Sequence, residues 1–268
     1  MNRPLQTTGT HANDAANDQH PGTAALRQHP RAEFRIELIT HIGRRFLMDS
    51  REQRCFWERH IALWSDSAYH KTKRLPLIER AAQPFRKHLP LRQRLAVDIV
   101  SNSDAASVLE LGCGTGDFAV ELVRRSQTLG NYLGIDIADS AVKRAREHVL
   151  AAAGSRVKAE VRAAAVEDLD PTSLPFFDFI VVLGLLPYLT DEGLERLSAI
   201  GRGKKYVVDY HPREASFFNA VHAAYRTAKG YPFYRMFSDA EAKELMSRLG
   251  FGPYNLISRG PLRMMQSV

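Results

Sequence analysis

The chain has 268 residues, 44% of them hydrophobic and 25% charged, which suits one domain with an elaboration and a sizeable core. No apolar run approaches the roughly 18 residues that a membrane span needs, and the polar start M-N-R-P-L-Q-T-T-G-T-H has no signal-like apolar segment, so a cytoplasmic protein without a membrane partner is expected. The net charge of +7 invites nucleic acid, but its excess lies before residue 100, in R-E-Q-R, H-K-T-K-R and F-R-K-H-L-P-L-R-Q-R, where alternation with apolar residues at helical intervals reads as solvated helix faces. No RNA-recognition signature, zinc finger or basic heptad accompanies it.

In chain order, residues 1 to about 30 are rich in Asn, Asp, Thr, Gly, Ala and His. They carry too little apolar surface to offset ordering entropy, so a flexible tail is expected. From Ala32 to Ile99 the pattern is helical: F-R-I-E-L-I-T-H-I-G-R-R-F-L and C-F-W-E-R-H-I-A-L-W place apolar groups three and four apart. Pro76, Pro84 and Pro90 divide shorter helices, and together these form a helical cap over about residues 31–100. Cys55 and Cys113 give neither a disulfide framework nor a metal-ligand spacing, and read as reduced structural thiols.

At Ser107 the character changes, and Val-, Ile- and Leu-rich runs alternate with amphipathic helices. The pattern predicts strands at Val108–Leu111, Tyr132–Asp136, Val157–Ala163, Phe177–Leu183 and Lys205–Tyr210. Between them it predicts helices at Phe118–Ser126, Ser140–Ala152 and Asp191–Ile200. Such alternation implies an α/β, doubly wound parallel sheet, here over residues 101–268, with ligands at the carboxyl ends of its strands. A helical insertion at about 211–237 includes Arg213–Lys229. A helix capped by Ser238 and Glu241 then ends at Gly250, and a hairpin closes the chain through Tyr254–Ser258 and Met264–Val268.

The stretch V-L-E-L-G-C-G-T-G-D-F at 108–118 follows a strand, opens a helix, and is answered by Asp136 at the end of the next strand. Gly112 and Gly114 let a ligand approach the backbone, and Asp136 is placed to accept from ribose hydroxyls. A dinucleotide fingerprint would want glycine at position 117, where this chain has Asp117. With Glu110 ahead of the loop, the site favours a cation over a pyrophosphate.

These residues, with Y-L-G-I-D-I-A-D-S-A-V-K-R-A-R-E and F-D-F-I-V-V-L-G-L-L-P-Y-L, resemble the class I S-adenosylmethionine (SAM)-dependent methyltransferases over about residues 107–210. The resemblance implies a Rossmann-like, doubly wound seven-stranded sheet with its last strand antiparallel, behind the N-terminal helical cap. It implies SAM as cofactor, with Glu110, Gly112, Gly114 and Gly116 on its methionyl and ribose side. Asp136 would hold the ribose, Ile137 would pack on adenine, and Leu183 and Gly184 would face the methionyl group or the acceptor. The family's Asp-Ala pair after the third strand is replaced here by Ala165 and Val166. Glu167 or Asp168 would take the adenine contact one or two residues late, or serve only as a solvated loop acid.

Acceptor contacts are expected after the fourth and fifth strands, where Tyr188 and His211 are the candidate catalytic residues. Each also has a plain alternative, packing for Tyr188 and a polar loop position for His211. Trp57 and Trp64 read as core, though aromatic faces also attract a sulfonium. The two caps imply a small enclosed pocket, as in small-molecule methyltransferases of specialised or cofactor metabolism. Methyl transfer to a small metabolite is the leading expectation. Cyclisation of SAM's own aminobutyl chain, with release of methylthioadenosine, is a rival on the same fold. A non-catalytic SAM- or RNA-binding protein is a third reading, and a NAD-dependent dehydrogenase the weakest.

Overall fold

Short Val/Ile/Leu runs bounded by turns form a seven-stranded sheet in the order β3-β2-β1-β4-β5-β7-β6. The strands are β1 Ser107–Leu111, β2 Asn131–Asp136, β3 Lys158–Ala163, β4 Phe179–Val182, β5 Lys205–Tyr210, β6 Tyr254–Arg259 and β7 Leu262–Ser267. Between and around them lie α1 Ser50–Tyr69, α2 Leu89–Ser101, α3 Asp117–Arg125, α4 Asp139–Ala153, α5 Asp191–Gly201 and α6 Asp239–Arg248. This computed structural model describes residues 50–69, 88–213, 220, 223, 224, 226, 227, 230, 231 and 235–268, all within one compact unit, 39–268. The expected tail, the helix at 34–47, Pro76, Pro84, most of the insertion, and the side chain of Trp64 lie outside the described residues. No helix among the described residues is long and apolar enough to cross a membrane.

β1 to β5 are parallel, and β7 runs antiparallel to both β5 and β6. The sheet is therefore the expected one, with boundaries shifted by a residue or two. Just before β4, the Asp178 carboxylate accepts from the backbone N–H groups of Ala106 and Ser107, at 3.1 and 3.2 Å, and fixes the start of β1 beside it. The C-terminal helix carries the expected capping box between Ser238 and Glu241. Gly250 follows it with a left-handed φ of 74°, and the hairpin turns at Gly260.

Side-chain alternation along the strands sorts the core into two layers. Leu109, Leu111, Ile180, Val182, Tyr206 and Val208 face α5 and α6. Val108, Phe179, Val181 and Val207 face α2, α3 and α4. The same alternation sends Glu110 and Asp209 toward the α2 side, at the end of the sheet where the strands point. Two acids are thereby placed in a buried layer, and that placement builds the site.

Gly116 precedes α3 with φ 84°, and a β-carbon there would lie 2.9 Å from Val149 Cγ2 and 3.2 Å from the Ala145 backbone. It serves the close approach of α3 to α4. Gly116→Ala combines a disfavoured φ with a clash, and should cost about 1–3 kcal/mol in urea unfolding. A loss below about 0.5 kcal/mol would show that α3 and α4 are not held this tightly.

Candidate functional site

A cavity of about 230 Å³ opens at the carboxyl ends of β1, β2, β4 and β5, under α1. Its floor is the glycine loop after β1. The N–H groups of Gly112 and Cys113 both donate to the Ile135 carbonyl, at 2.8 and 3.0 Å, which folds the loop onto the end of β2. Asp136 then fixes it: one carboxylate oxygen accepts from Gly114 N at 2.8 Å, the other from Ala138 N at 3.0 Å. A carboxylate oxygen can accept more than one hydrogen bond, and Asp136 lines the cavity. A β-carbon added to Gly114 would meet nothing closer than Ile61 Cδ1 at 4.0 Å, so that glycine leaves open space over the loop.

Burial dominates the chemistry of this wall. Glu110 is 3% exposed, its carboxylate accepts from Tyr132 Oη at 2.5 Å, and desolvation pushes its pKa up to about 8 against the lowering effect of that bond. Asp136 is raised by the same cause, opposed by its backbone donors. Burial, then the neighbouring Asp136 and Glu110, pushes the Cys113 thiol well up, so it is held protonated and is no nucleophile.

The roof is α1, held to three loops by polar groups. Ser65, 1% exposed, donates to Asp117 at 2.8 Å and lies 2.5 Å from the Thr115 hydroxyl. Glu58 accepts from Ser140 N near the start of α4, and Gln53 donates to the Tyr188 carbonyl at 3.0 Å. Asp117 thus anchors the roof and also accepts from Thr115 of the floor. Ile61 and Trp57 turn their apolar surface into the cavity.

The far wall comes from the loops after β4 and β5. Asp209 accepts from Gly184 N at 2.5 Å and pairs with Arg92 of α2 at 2.9 Å, both side chains being 10% exposed or less. Removing one partner of a pair buried this deeply leaves an uncompensated charge, at a cost of about 3–5 kcal/mol. His88 lines the same wall, and burial, with the nearby Arg92 charge, lowers it to about 4, so it is neutral at pH 7. Tyr188 ends a 3-10 turn, Leu186–Tyr188, and its hydroxyl accepts from Arg226 at 2.9 Å. Trp57 stands edge-on to Tyr188 and Tyr231, with ring centres at 5.3 and 6.1 Å.

Of the expected site residues, Glu110, Gly112, Gly114, Asp136, Ile137, Val166, Glu167, Leu183, Gly184, Tyr188 and His211 all line this one cavity. Gly116 does not; it faces α4. Glu167 accepts from Thr190, which itself caps α5, so its carboxylate is partly engaged in structure. Sequence reasoning missed Arg92, Arg226, Tyr231 and Ser65. Arg92 belongs to a basic run that reads as a solvated face, yet it is 5% exposed; its neighbour Arg94 is exposed as expected. Only the strand alternation that aims Asp209 at α2 could have signalled it. Trp57, expected as core, lines the cavity instead.

Residues 108–202 match the family described as methyltransferase domain. The chain is 29% identical over 113 residues to a ubiquinone biosynthesis O-methyltransferase of Bordetella avium (strain 197N), covering 42% of this chain and 44% of that one. The same kind of enzyme from Leptothrix cholodnii is 28% identical over 113 residues, 42% of this chain and 46% of its own. The match therefore spans less than half the length of these relatives. Among solved structures, magnesium protoporphyrin IX methyltransferase from Synechocystis PCC 6803 with bound SAH superposes with a TM-score of 0.61 at 12% identity, covering 82% of this chain and 98% of that one. A putative O-methyltransferase from Nostoc punctiforme PCC 73102 gives 0.54 at 16% identity, over 71% and 59%. At these identities the likeness is one of fold.

The raised Glu110 pKa carries a sign for stability. Between about pH 4.5 and 8 the folded chain holds a proton on Glu110 that the unfolded chain has released, so this group's contribution falls as pH rises through that window. Asp136, also raised, acts in the same direction. In thermal unfolding, Glu110→Gln should flatten the decline in Tm between pH 5 and 8 relative to the parent. Identical pH profiles would contradict the burial of an acid at this position.

Proposed function

We propose that the protein, whose residues 108–202 match the family described as methyltransferase domain, binds SAM in this cavity and transfers its methyl group to a small-molecule acceptor. One observation carries the reading. Two buried carboxyl groups, Glu110 and Asp136, flank a glycine loop in which Gly114 leaves open space over the backbone while Gly112 meets Leu185 and Gly116 meets α4, and this supports a cradle for a cation with a ribose.

The residues fit the cofactor part by part. The remaining acceptor capacity of Asp136 suits two ribose hydroxyls, and Ile137 with Val166 offers apolar surface to adenine. Glu167 is within the same wall for the adenine edge. Glu110, beside Gly112, suits the methionyl ammonium, which would favour its ionised form and release its proton. Leu183 and Gly184 border the reacting end, held there by the Asp209–Gly184 bond. Bound there, SAM supplies a methyl group already activated by its sulfonium.

The protein's share of the reaction is then alignment and exclusion of water. The α1 roof, part of the proposed cap over 31–100, covers the cavity with Ile61 and Trp57. Tyr188 accepts from Arg226, which polarises its hydroxyl and makes the O–H a better donor to an acceptor. His211 lines the same cavity, which supports a role for it in taking a proton where the acceptor arrives protonated.

Incubation with methyl-labelled SAM and a pool of small metabolites should yield S-adenosylhomocysteine and labelled product by mass spectrometry. Methylthioadenosine with a cyclic amino acid from SAM alone would replace this reading by cyclisation. In calorimetry, Asp136→Ala should weaken SAM binding by about tenfold or more, since it removes both the ribose acceptor and the pin on the loop. Unchanged affinity would remove Asp136 from the site.

A further inference from the structure

Two imidazoles line the cavity, and they reach it from different parts of the chain. His211 follows β5, and His88 stands immediately before α2. The stretch H-L-P-L-R at 88–92 shows how His88 is held. Pro90 sits in the first turn of α2, where its missing N–H costs nothing. The His88 carbonyl accepts from Arg92 N at 2.9 Å, which closes that turn and puts the two residues on one face. Arg92 is paired with Asp209 and lies against Gly184, where an added β-carbon would come within 2.8 Å of its guanidinium. His88 thus has a fixed place near the loop that ends β4.

Its surroundings also fix its charge. Burial, then the charge of Arg92, disfavours the imidazolium, and Asp209 offsets them only in part, which brings His88 down to about 4. Arg92 from its own helix and Asp209 from β5 are the charges that act on it; Tyr188, Tyr210, His211 and Arg226 are further titratable groups on the cavity. A neutral imidazole carries one N–H donor and one bare nitrogen that accepts. Among the described residues, no group hydrogen-bonds to this ring, so the bare nitrogen is available to a ligand. What it can receive is set by proton affinities. A hydroxyl arrives neutral and donates well to a bare nitrogen. Its proton becomes strongly acidic as the oxygen gains a methyl group, so a weak base suffices. An alkylamine arrives as an ammonium that holds its proton about a millionfold more tightly than His88 would, with a pKa of about 10 against about 4.

We propose that His88 accepts the hydrogen bond, and then the proton, of a neutral hydroxyl substrate, so that this chain methylates oxygen and not alkyl nitrogen. The hydroxyl oxygen forms the new bond to the methyl carbon, and the carbon–sulfur electron pair stays on sulfur. The proton passes from that oxygen to the bare nitrogen of His88. The imidazolium, formed beside Arg92, then loses it to water. The transfer rests on the proposed function; the contact between His88 and a hydroxyl stands on the cavity alone.

The test uses the full chain, with calorimetry in the presence and absence of S-adenosylhomocysteine and transfer from methyl-labelled SAM read by mass spectrometry. The probes are catechol, 1,2-dimethoxybenzene, which has no hydroxyl, and benzylamine. Catechol should be methylated between about pH 5 and 8, and benzylamine should not. His88→Ala should weaken catechol binding about threefold to tenfold and slow its methylation about a hundredfold. The affinities for 1,2-dimethoxybenzene and S-adenosylhomocysteine should stay in place. His88→Gln keeps an acceptor oxygen but cannot take the proton, so it should bind catechol as the parent does and methylate it slowly. That variant decides the matter where the Ala variant loses its fold. Methylation of benzylamine, unchanged catechol methylation in both His88 variants, a loss in His211→Ala alone, or a parent that neither binds nor methylates catechol would overturn the assignment. Absence of SAM and S-adenosylhomocysteine binding would instead overturn the proposed function, while catechol binding that still depends on His88 would leave the hydroxyl contact standing.

Discussion

Three carboxylates, Glu110, Asp136 and Asp209, are buried at the carboxyl ends of β1, β2 and β5, and the arrangement around them follows from keeping them there. Each is stabilised differently. Glu110 has a phenol and a raised pKa, Asp136 has backbone N–H donors, and Asp209 has a guanidinium and the N–H of Gly184. An unpaired buried carboxylate is so costly that Glu110 keeps its proton beside the Tyr132 phenol, while the other two acids each fix a piece of backbone as well as a charge. Asp136 pins the glycine loop to the start of α4, and Asp209 pins the end of β4 to β5 and α2. The cavity has a defined shape because its acids do.

The roof depends on weaker forces. α1 meets the domain through Ser65, Glu58, Gln53 and the Arg54–Asp139 pair, with Phe56, Trp57 and Ile61 supplying the apolar contacts. The exposed ion pair contributes about 0–1 kcal/mol, whereas the Ser65–Asp117–Thr115 group is buried and specific. The roof is thereby keyed to the loops that form the floor. Its position reports on the same residues that line the cavity.

Much of this was legible in the sequence. The switch from helical spacing to Val/Ile/Leu runs at Ser107 located the sheet, and the G-C-G-T-G stretch with Asp136 located the floor, because backbone constraints there leave residue-type signatures. The capping box at Ser238 and the hairpin were visible for the same reason. Arg92 was not, since a buried arginine and a solvated one look alike until the strand facing it is known. Gly116 looked like part of the cradle and proved to be a contact between α3 and α4, because a glycine marks close approach without saying what approaches. Tyr188 was visible as a residue after β4, but its bond to Arg226 joins positions 38 apart across a loop and has no local pattern.

The proposed function seats SAM over Asp136 with its reactive end turned toward Tyr188. A crystal structure of the full chain with S-adenosylhomocysteine tests this most directly. The account predicts both ribose hydroxyls within hydrogen-bond distance of Asp136, adenine against Ile137 and Val166, and the sulfur facing the space beside Tyr188. A ligand seated elsewhere, or one whose sulfur points toward β3, would contradict it.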